Sequence, residues 1–377
     1  MRYIHQLTDW PEFQWDAAAL STPLAHVRHK QGLLLGQMRG LGFRLRDEAG
    51  LAVLTDDVVK TSAIEGETLD PQEVRSSIAR KLGLDAGGMV KVGRDVEGIV
   101  EMLIDATRRF EEPLTAERIF AWHSALFPTG RRGMQRLAVG QWRPLEAGEM
   151  KVVSGAYGRE KVHFEAPAAD RLELEMQRFI DWFRLTGSSN SSIDPVIRAA
   201  VAHLWFVTIH PLEDGNGRIA RAIADMALAW ADQSAERFYS MSSQIEFERR
   251  DYYLALERQQ RSTLDITPWL DWFISCLDRA LTRADSTLAS VLFKSRLWDL
   301  VNRSPVNARQ QIVINRLLDG FEGKLTSSKY AKLAKCSTDT ALRDIQTLVE
   351  RGILFQNDAG GRSTSYRLAS AEKLEGR

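Results

Sequence analysis

The stretch "HPLEDGNGRIAR", His210 to Arg221, sets a histidine, two carboxylates, an Asn between glycines and two arginines directly behind the apolar run "VAHLWFVTI". Gly215-Asn216-Gly217 gives the backbone conformations barred to residues with larger side chains. Its N–H groups lie where a new helix begins, and a helix N-terminus attracts anions. Arg218 and Arg221, at i and i+3, share one helix face and add fixed positive charge suited to phosphate oxygens. Asp214 offers a hard oxygen ligand; one carboxylate together with substrate phosphates is the usual way Mg2+ is held. His210 ends the preceding helix and suits a base poised near neutral pH. Together these residues describe a phosphate cradle with a metal ligand and a base, without the Gly-Lys-Ser/Thr of a P-loop. An ordinary helix–helix turn uses the same residue types, and spacing alone leaves both readings open.

A second informative residue is Glu65 in "TSAIEG". It closes a helix where the macrodipole is already negative, which costs a carboxylate about 0.3–1 kcal/mol unless a cation compensates. It shares a stripe with Val58 and Ser62, so its side chain is expected to face inward and to need a partner. An exposed Glu before a capping glycine is the plain alternative.

The elements that must position these residues read mostly as helix. "STPLAHVRHKQGLLLGQMRGLGF" is apolar at helical spacing behind a Ser-Thr-Pro start, and "TDDVVKTSAIEGE" follows from a Thr55 or Asp56 cap to a stop near Gly66. Asp70 caps, and Pro71 opens, a helix that Gly83 stops; Thr115 caps the next. "RLELEMQRFIDWFRLTG" is helical, Asp194 and Pro195 open a helix ending near His210, and another runs from about Gly217 towards Trp230. Between Gly140 and Pro167, "MKVVSGAYGREKVHFEAP" predicts a β-hairpin. From about Ser286, three compact helical segments precede "ILFQNDAGGRSTSYRL", a strand, Gly-rich turn and strand. That is the outline of a winged helix-turn-helix. The expected fold is mainly α in three parts: a helical extension over 1–95 with the Glu65 helix at about 55–66, a helical core over 96–285 with the hairpin at about 150–165, and a winged helix-turn-helix over 286–377.

Composition narrows the classes. The chain has 377 residues, 44% hydrophobic and 27% charged with zero formal net charge, so no chain-wide field draws it to nucleic acid or anionic lipid. Cys276 and Cys336 lack metal spacing and suit reduced thiols. The N-terminus lacks a signal-peptide pattern, and no run approaches the roughly 18 apolar residues of a membrane span. These features predict a soluble, cytoplasmic protein without membrane partners.

The loop resembles the signature of the Fic family, His-Pro-Phe-x-Asp-Gly-Asn-Gly-Arg-x-x-Arg, with Leu212 in place of the usual Phe, one apolar anchor for another. The resemblance implies a Fic-type helical core that binds ATP with Mg2+ and transfers AMP to a Ser, Thr or Tyr hydroxyl of a target protein, releasing pyrophosphate. It implies His210 as the base, Asp214 as the Mg2+ ligand, and Gly215, Asn216 and Gly217 as the anion hole around the α- and β-phosphates. Arg218 would clamp the phosphates and Arg221 would reach the γ-phosphate. The hairpin from Lys151 to Phe164 resembles the family's flap, which holds the target by strand addition, and "GQWR", Gly140 to Arg143, also matches. "RRDYYLALE" resembles the segment lining the nucleotide pocket, with Tyr252 and Tyr253 as candidates. "TSAIEG" resembles the family's inhibitory motif, Ser/Thr-x-x-x-Glu-Gly/Asn; Glu65, with Ser62 beside it, would pair with Arg221 and block placement of the γ-phosphate. The expected activity is therefore an autoinhibited protein adenylyltransferase. Some inhibited Fic enzymes remove AMP, using the inhibitory Glu to activate water, so a de-AMPylating or bifunctional enzyme stays open. The resemblance also implies a homodimer. The aromatic opening "RYIHQLTDWPEFQWD" resembles the N-terminal extension of some bacterial Fic proteins and is read as structural.

A DNA-binding regulator is the reading from a different class. From Lys324 to Arg367, eight Lys/Arg oppose four acids, a local excess of +4, consistent with a recognition helix at "STDTALRDIQTLVERG" and a wing tip near "AGGRST". A protein-interaction module is equally compatible. His123 and His203 sit in apolar helical stretches and read as core histidines, His163 in the flap as structural, and Trp182, Trp205 and Trp272 as core.

Overall fold

The computed structural model describes residues 2–41, 43–84, 90–154, 161–187, 191–302, 304–318, 321, 323–357 and 364–370. The chain divides into two compact units, Met1–Asp285 and Ser286–Arg377. In the first run α1 (Ala17–Arg39), α2 (Phe43–Ile64), α3 (Pro71–Leu82), α4 (Arg94–Arg108), α5 (Ala116–Leu126), β1 (Arg131–Arg132), β2 (Gln135–Arg136), β3 (Lys151–Ser154) and β4 (Lys161–Glu165). Then come α6 (Leu172–Thr186), α7 (Pro195–Ile209), α8 (Asn216–Asp232), α9 (Met241–Phe247), α10 (Arg249–Gln260) and α11 (Thr267–Asn302), inside which the division falls. The second unit adds α12 (Ala308–Leu318), α13 (Ser327–Ala334), α14 (Thr338–Glu350), β5 (Leu354–Gln356) and β6 (Tyr366–Leu368). The mainly helical expectation is borne out, and among the described residues the strands form only small antiparallel pairs.

At the centre of the first unit α7 buries every residue from Val196 to Ile209. A helix apolar all round must be surrounded. It packs on α8 and α6, while α1, α2, α4 and α5 close around α8. Asp194 caps α7 as the sequence indicates, its Oδ1 accepting from the Val196 N–H with Pro195 in the first turn. Asp70 and Thr115 cap α3 and α5 in the same way.

Two helix starts differ from expectation. α1 begins at Ala17 with Asp16 as its cap, and Pro23 lies inside it. An interior proline costs about 3 kcal/mol; the stripe Leu20, Val27, Leu34 and Met38, all buried, offsets that. α2 begins at Phe43, so Thr55 and Asp56 are interior; the Thr55 hydroxyl donates to the Leu51 carbonyl one turn back instead of capping.

β3 and β4 form the expected hairpin, with a bulge: Val152 faces Phe164 but Val153 faces Val162, leaving His163 as the extra residue. Its tip, 155–160, lies outside the described residues, as do 188–190 of the loop after α6. The N-terminal segment docks on the hairpin and α6, as its aromatic content suggests. Tyr3 and His5 set their rings edge-on to Phe164, and Trp10 donates to the Glu175 carboxylate at 2.8 Å.

In the second unit α12, α13 and α14 enclose Val313, Ile314, Tyr330, Ile345 and Leu348, and β5 pairs with β6 from Leu354↔Leu368 to Gln356↔Tyr366. Most of the expected wing tip, 359–363 with Arg362, lies outside the described residues.

Candidate functional site

α7 ends at His210, whose backbone is left-handed, φ 51° and ψ 56°. A side-chain-bearing residue holds that conformation only where its surroundings enforce it. Here Arg143 does: its Nε donates to the His210 carbonyl at 3.0 Å, its Nη2 to the Pro167 carbonyl, and its backbone N–H to the Pro211 carbonyl at 2.8 Å. The His210 Nδ1 lies 3.2 Å from the Val207 carbonyl. A carbonyl only accepts, so Nδ1 carries the proton and Nε2 keeps its lone pair. Burial lowers the imidazole pKa to about 4, against the opposing pull of the Val207 contact. The ring is neutral at neutral pH, as a base must be.

Beyond His210 the loop is stitched by Asn216, whose amide accepts from Leu212 N–H at 3.0 Å and donates to Leu212 O at 2.8 Å. Gly215, at φ +82°, has the aromatic edge of Phe127 3.1 Å from where a Cβ would sit, so the loop leaves α7 and enters α8 in a turn no larger residue fits. Asp214 is held by Gly215 N–H on Oδ1, at 2.6 Å, and faces Arg132 Nη1 2.9 Å from Oδ2. Arg132 belongs to the small β1–β2 pair, and the chain after it is tied to the same loop by Glu213 Oε2 on the Ala138 N–H.

α8 turns two buried arginines, each 3% exposed, towards the end of α2. Gly66, at φ +84°, reverses the chain there, and the N–H groups of Glu65 and Glu67 both return to the Ser62 carbonyl. Glu65 Oε1 accepts from Arg221 Nη2 at 2.8 Å, and Glu67 Oε2 accepts from Arg218 Nη1 at 2.7 Å. Thr61 completes the grip: its Oγ1 accepts from Arg221 Nε at 2.8 Å and its carbonyl from Nη2 at 2.9 Å. Burial opposes ionisation of Glu65, but the charge and hydrogen bond of Arg221 outweigh it and hold the carboxyl below its ordinary pKa. A Cβ on Gly217 would lie 2.3 Å from Glu65 Oε1, so the missing side chain is what admits the carboxylate to the loop. Farther up α2, the buried Asp57 takes the Ser240 hydroxyl, while on α8 Asp225 pairs with Arg237 at 3.0 Å.

The structure thus brings His210, Asp214, Gly215, Asn216, Gly217, Arg218, Arg221 and Glu65 together. Ser62 is buried one residue aside; among the described residues its hydroxyl has no hydrogen-bond partner, and Thr61 makes the contact with Arg221. Tyr252 is buried with its hydroxyl 2.9 Å from His203 Nε2, whereas Tyr253 is 40% exposed and donates to the Ile64 carbonyl, next to Glu65. His123 and His203 are buried, their pKa values lowered by desolvation to about 4 and about 3. Sequence reasoning had Thr61 at the head of the inhibitory motif but named Ser62, and it missed Glu67, Arg132 and the clamp role of Arg143. Thr61 was within reach, since i and i+4 share a helix face with Glu65. Glu67 and Arg132 carried no signal.

Residues 113–228 match the Fic/DOC family, and residues 3–84 match a domain family of unknown function, DUF4172. The chain is similar to protein adenylyltransferase fic-1 of Caenorhabditis elegans, 30% identical over 172 residues, which is 45% of this chain and 31% of that protein. It is 28% identical to protein adenylyltransferase Fic of Nematostella vectensis over 236 residues, 62% of this chain and 48% of that one. The chain therefore spans about a third to a half of the length of these curated relatives. In fold, it is similar to a Fic domain containing signaling protein from Bacteroides thetaiotaomicron, TM-score 0.52 at 20% identity, covering 70% of this chain and 97% of that one.

Proposed function

We propose that this chain, which carries a Fic/DOC family domain, is a protein adenylyltransferase that moves AMP from ATP to a protein hydroxyl and is held inactive by its own Glu65. One observation carries the reading. A carboxylate sits in the space kept open by Gly217 and pairs with Arg221, so the chain's own anion fills a seat built for an anion. Arg221 Nη1 and Arg218 Nε are buried donors without a hydrogen-bond acceptor among the described residues, which suits additional phosphate oxygens.

The chemistry follows from these groups. His210 Nε2 takes the proton of the acceptor hydroxyl. The N-terminus of α8 and its two arginines hold the triphosphate and offset the charge that builds up on it. Asp214, a carboxylate of the same loop held by the Gly215 N–H, is the residue that would hold Mg2+, an ion that takes most of its ligands from phosphates and water. Bound there, Mg2+ would neutralise phosphate charge, and Arg132 would have to give up the carboxylate. The hairpin would present the target strand.

The test uses α-labelled ATP and Mg2+ with the full chain. Label is expected to rise in Glu65→Gly and to vanish when His210→Ala is added. A Glu65→Gly protein that neither binds nucleotide at the loop nor transfers label sinks the proposal.

We read residues 286–377 as a winged helix that docks a protein. The face of α14 exposes Leu342 and Val349, 44% and 36%, beside Arg343, a mixture that suits a partner surface more than a phosphate backbone. Duplex binding at low salt that falls steeply with salt would overturn this. Among the described residues no helix is long and apolar enough to cross a membrane. Cytoplasmic location and a homodimer remain part of the proposal; fractionation and light scattering test them.

A further inference from the structure

Glu65 does not hold α2 against α8 alone, because successive turns of the two helices meet in rungs. Arg218 takes Glu67, and Arg221 takes Glu65 and the Thr61 hydroxyl. One turn farther, four residues on from Arg221 along α8 and four back from Thr61 along α2, stand Asp225 and Asp57. The first two rungs set a cation against an anion. The third sets carboxylate against carboxylate, both buried, Asp57 at 6% and Asp225 at 2% exposed.

Arg237 serves this cluster, with Nη2 3.0 Å from Asp225 Oδ1 and Nη1 donating to the Asp225 carbonyl at 2.9 Å. Its charge is shared with Asp57 and with Asp232, which accepts from Tyr239 and Gln31, both at 2.7 Å. Asp57 has the Ser240 hydroxyl and, at 3.4 Å, the Ser242 N–H, with Asp56 exposed beside it on α2. Among the described residues neither carboxylate oxygen of Asp225 accepts a hydrogen bond. Arg221, one turn away on α8, also acts on Asp225 but is committed to Glu65. Where two buried anions face one shared cation, one of them keeps a proton. Burial, followed by the charge of Asp57, pushes the Asp225 carboxyl up to about 7 against the pull of Arg237. Burial raises Asp57 as well, against its Ser240 hydrogen bond. Glu65 differs: burial opposes its ionisation too, but Arg221 wins and holds the carboxyl below its ordinary value.

We propose that this third rung is a proton-operated latch on the inhibitory helix: a proton kept between Asp57 and Asp225 seats α2, and its loss loosens the end that carries Glu65. The effect on transfer rests on the autoinhibited activity proposed above; the latch itself does not. When α2 lifts, Asp225 loses the charge of Asp57 and meets water, so its pKa returns towards the ordinary carboxylate range. Between that range and about 7, the seated helix therefore binds the extra proton. Within this window seating weakens by up to about tenfold per unit as pH rises, and above it the balance is flat. The chain is locked hardest in mild acid and most loosely above about pH 7.5.

Two readouts test this on the full chain from about pH 5.5 to about pH 8.5. Hydrogen exchange over residues 58–66, corrected for the intrinsic pH dependence of exchange, measures opening of α2 without nucleotide. In the wild-type chain opening is expected to rise about tenfold up to about pH 7.5 and then level off. In Asp225→Asn it is expected to be flat, and in Asp57→Asn the rise is expected at lower pH. Opening that ignores pH in the wild-type chain, or that follows the wild-type curve in both variants, overturns the latch. The second readout is label transfer from α-labelled ATP, taken as the ratio of each chain to its own Glu65→Gly form so that the titration of His210 cancels. The ratio is expected to climb with opening in the wild-type chain and to stay constant in Asp225→Asn. A ratio that ignores opening overturns the coupling of the latch to inhibition. No transfer by Glu65→Gly at any pH overturns the adenylyltransferase reading instead, while exchange still decides the latch.

Discussion

α8 and α14 both carry arginine, and the contrast between them is instructive. Arg218 and Arg221 of α8 are buried at 3% and are met by carboxylates brought from the far end of α2, with donors left over. Arg343 of α14 is exposed; the charge α14 buries is Asp344, satisfied within its own unit by Arg309 at 2.8 Å and Asn307 at 2.9 Å. Stranding a buried charge costs several kcal/mol, so a chain that buries two cations against a removable partner has reason to do so. A solvated cation carries no such implication.

The comparison can be broken most sharply at Gly217. Its Cβ would displace the Glu65 carboxylate and fill the seat as well. Gly217→Ala is therefore expected to lower label transfer by about 100-fold or more, even with Glu65→Gly present. If it activates the wild-type chain as Glu65→Gly does, the seat is not where phosphate binds. The next effect is on pH. The imidazole of His210 works deprotonated, and burial lowers its pKa from 6.5 to about 4; removing Glu65 takes away one group that raises it. kcat/KM of Glu65→Gly should hold from pH 8 to about 5 and fall about tenfold per unit below about 4. An acid limb near the ordinary histidine value would mean a solvated ring. Glu67 is 36% exposed, and a pair so open to water contributes under about 1 kcal/mol. Glu67→Gln should thus raise wild-type transfer by about threefold, far below Glu65→Gly; an equal gain would make it a full second lock. Smallest of all, Arg343→Ala should leave transfer unchanged and alter stability by no more than about 0.5 kcal/mol, followed by thermal unfolding.

What was legible in the sequence is what local spacing encodes. Residues 210–221 form one turn and one helix start, so their juxtaposition was readable, and the pairing of Glu65 with Arg221 followed from resemblance. Helix starts were less so: Ser-Thr-Pro reads as an opening, but the buried stripe of α1 overrides it. The assignment fell on Ser62 where Thr61 binds, a one-residue slip that rotates a side chain by about 100° around the helix. Glu67 and Arg132 reach the loop across long stretches of chain, and nothing in their neighbours announces it. The bulge at His163 was equally silent, because it depends on which residue of β3 faces which of β4.

The Arg143 guanidinium spans two carbonyls, those of His210 and Pro167. The strand hairpin and the proton acceptor are consequently geared to one another, not merely adjacent. Under the proposed reaction, a target strand that displaced the flap would act on the backbone of His210 through a single planar group, so recognition of the incoming chain and readiness for chemistry would travel as one movement.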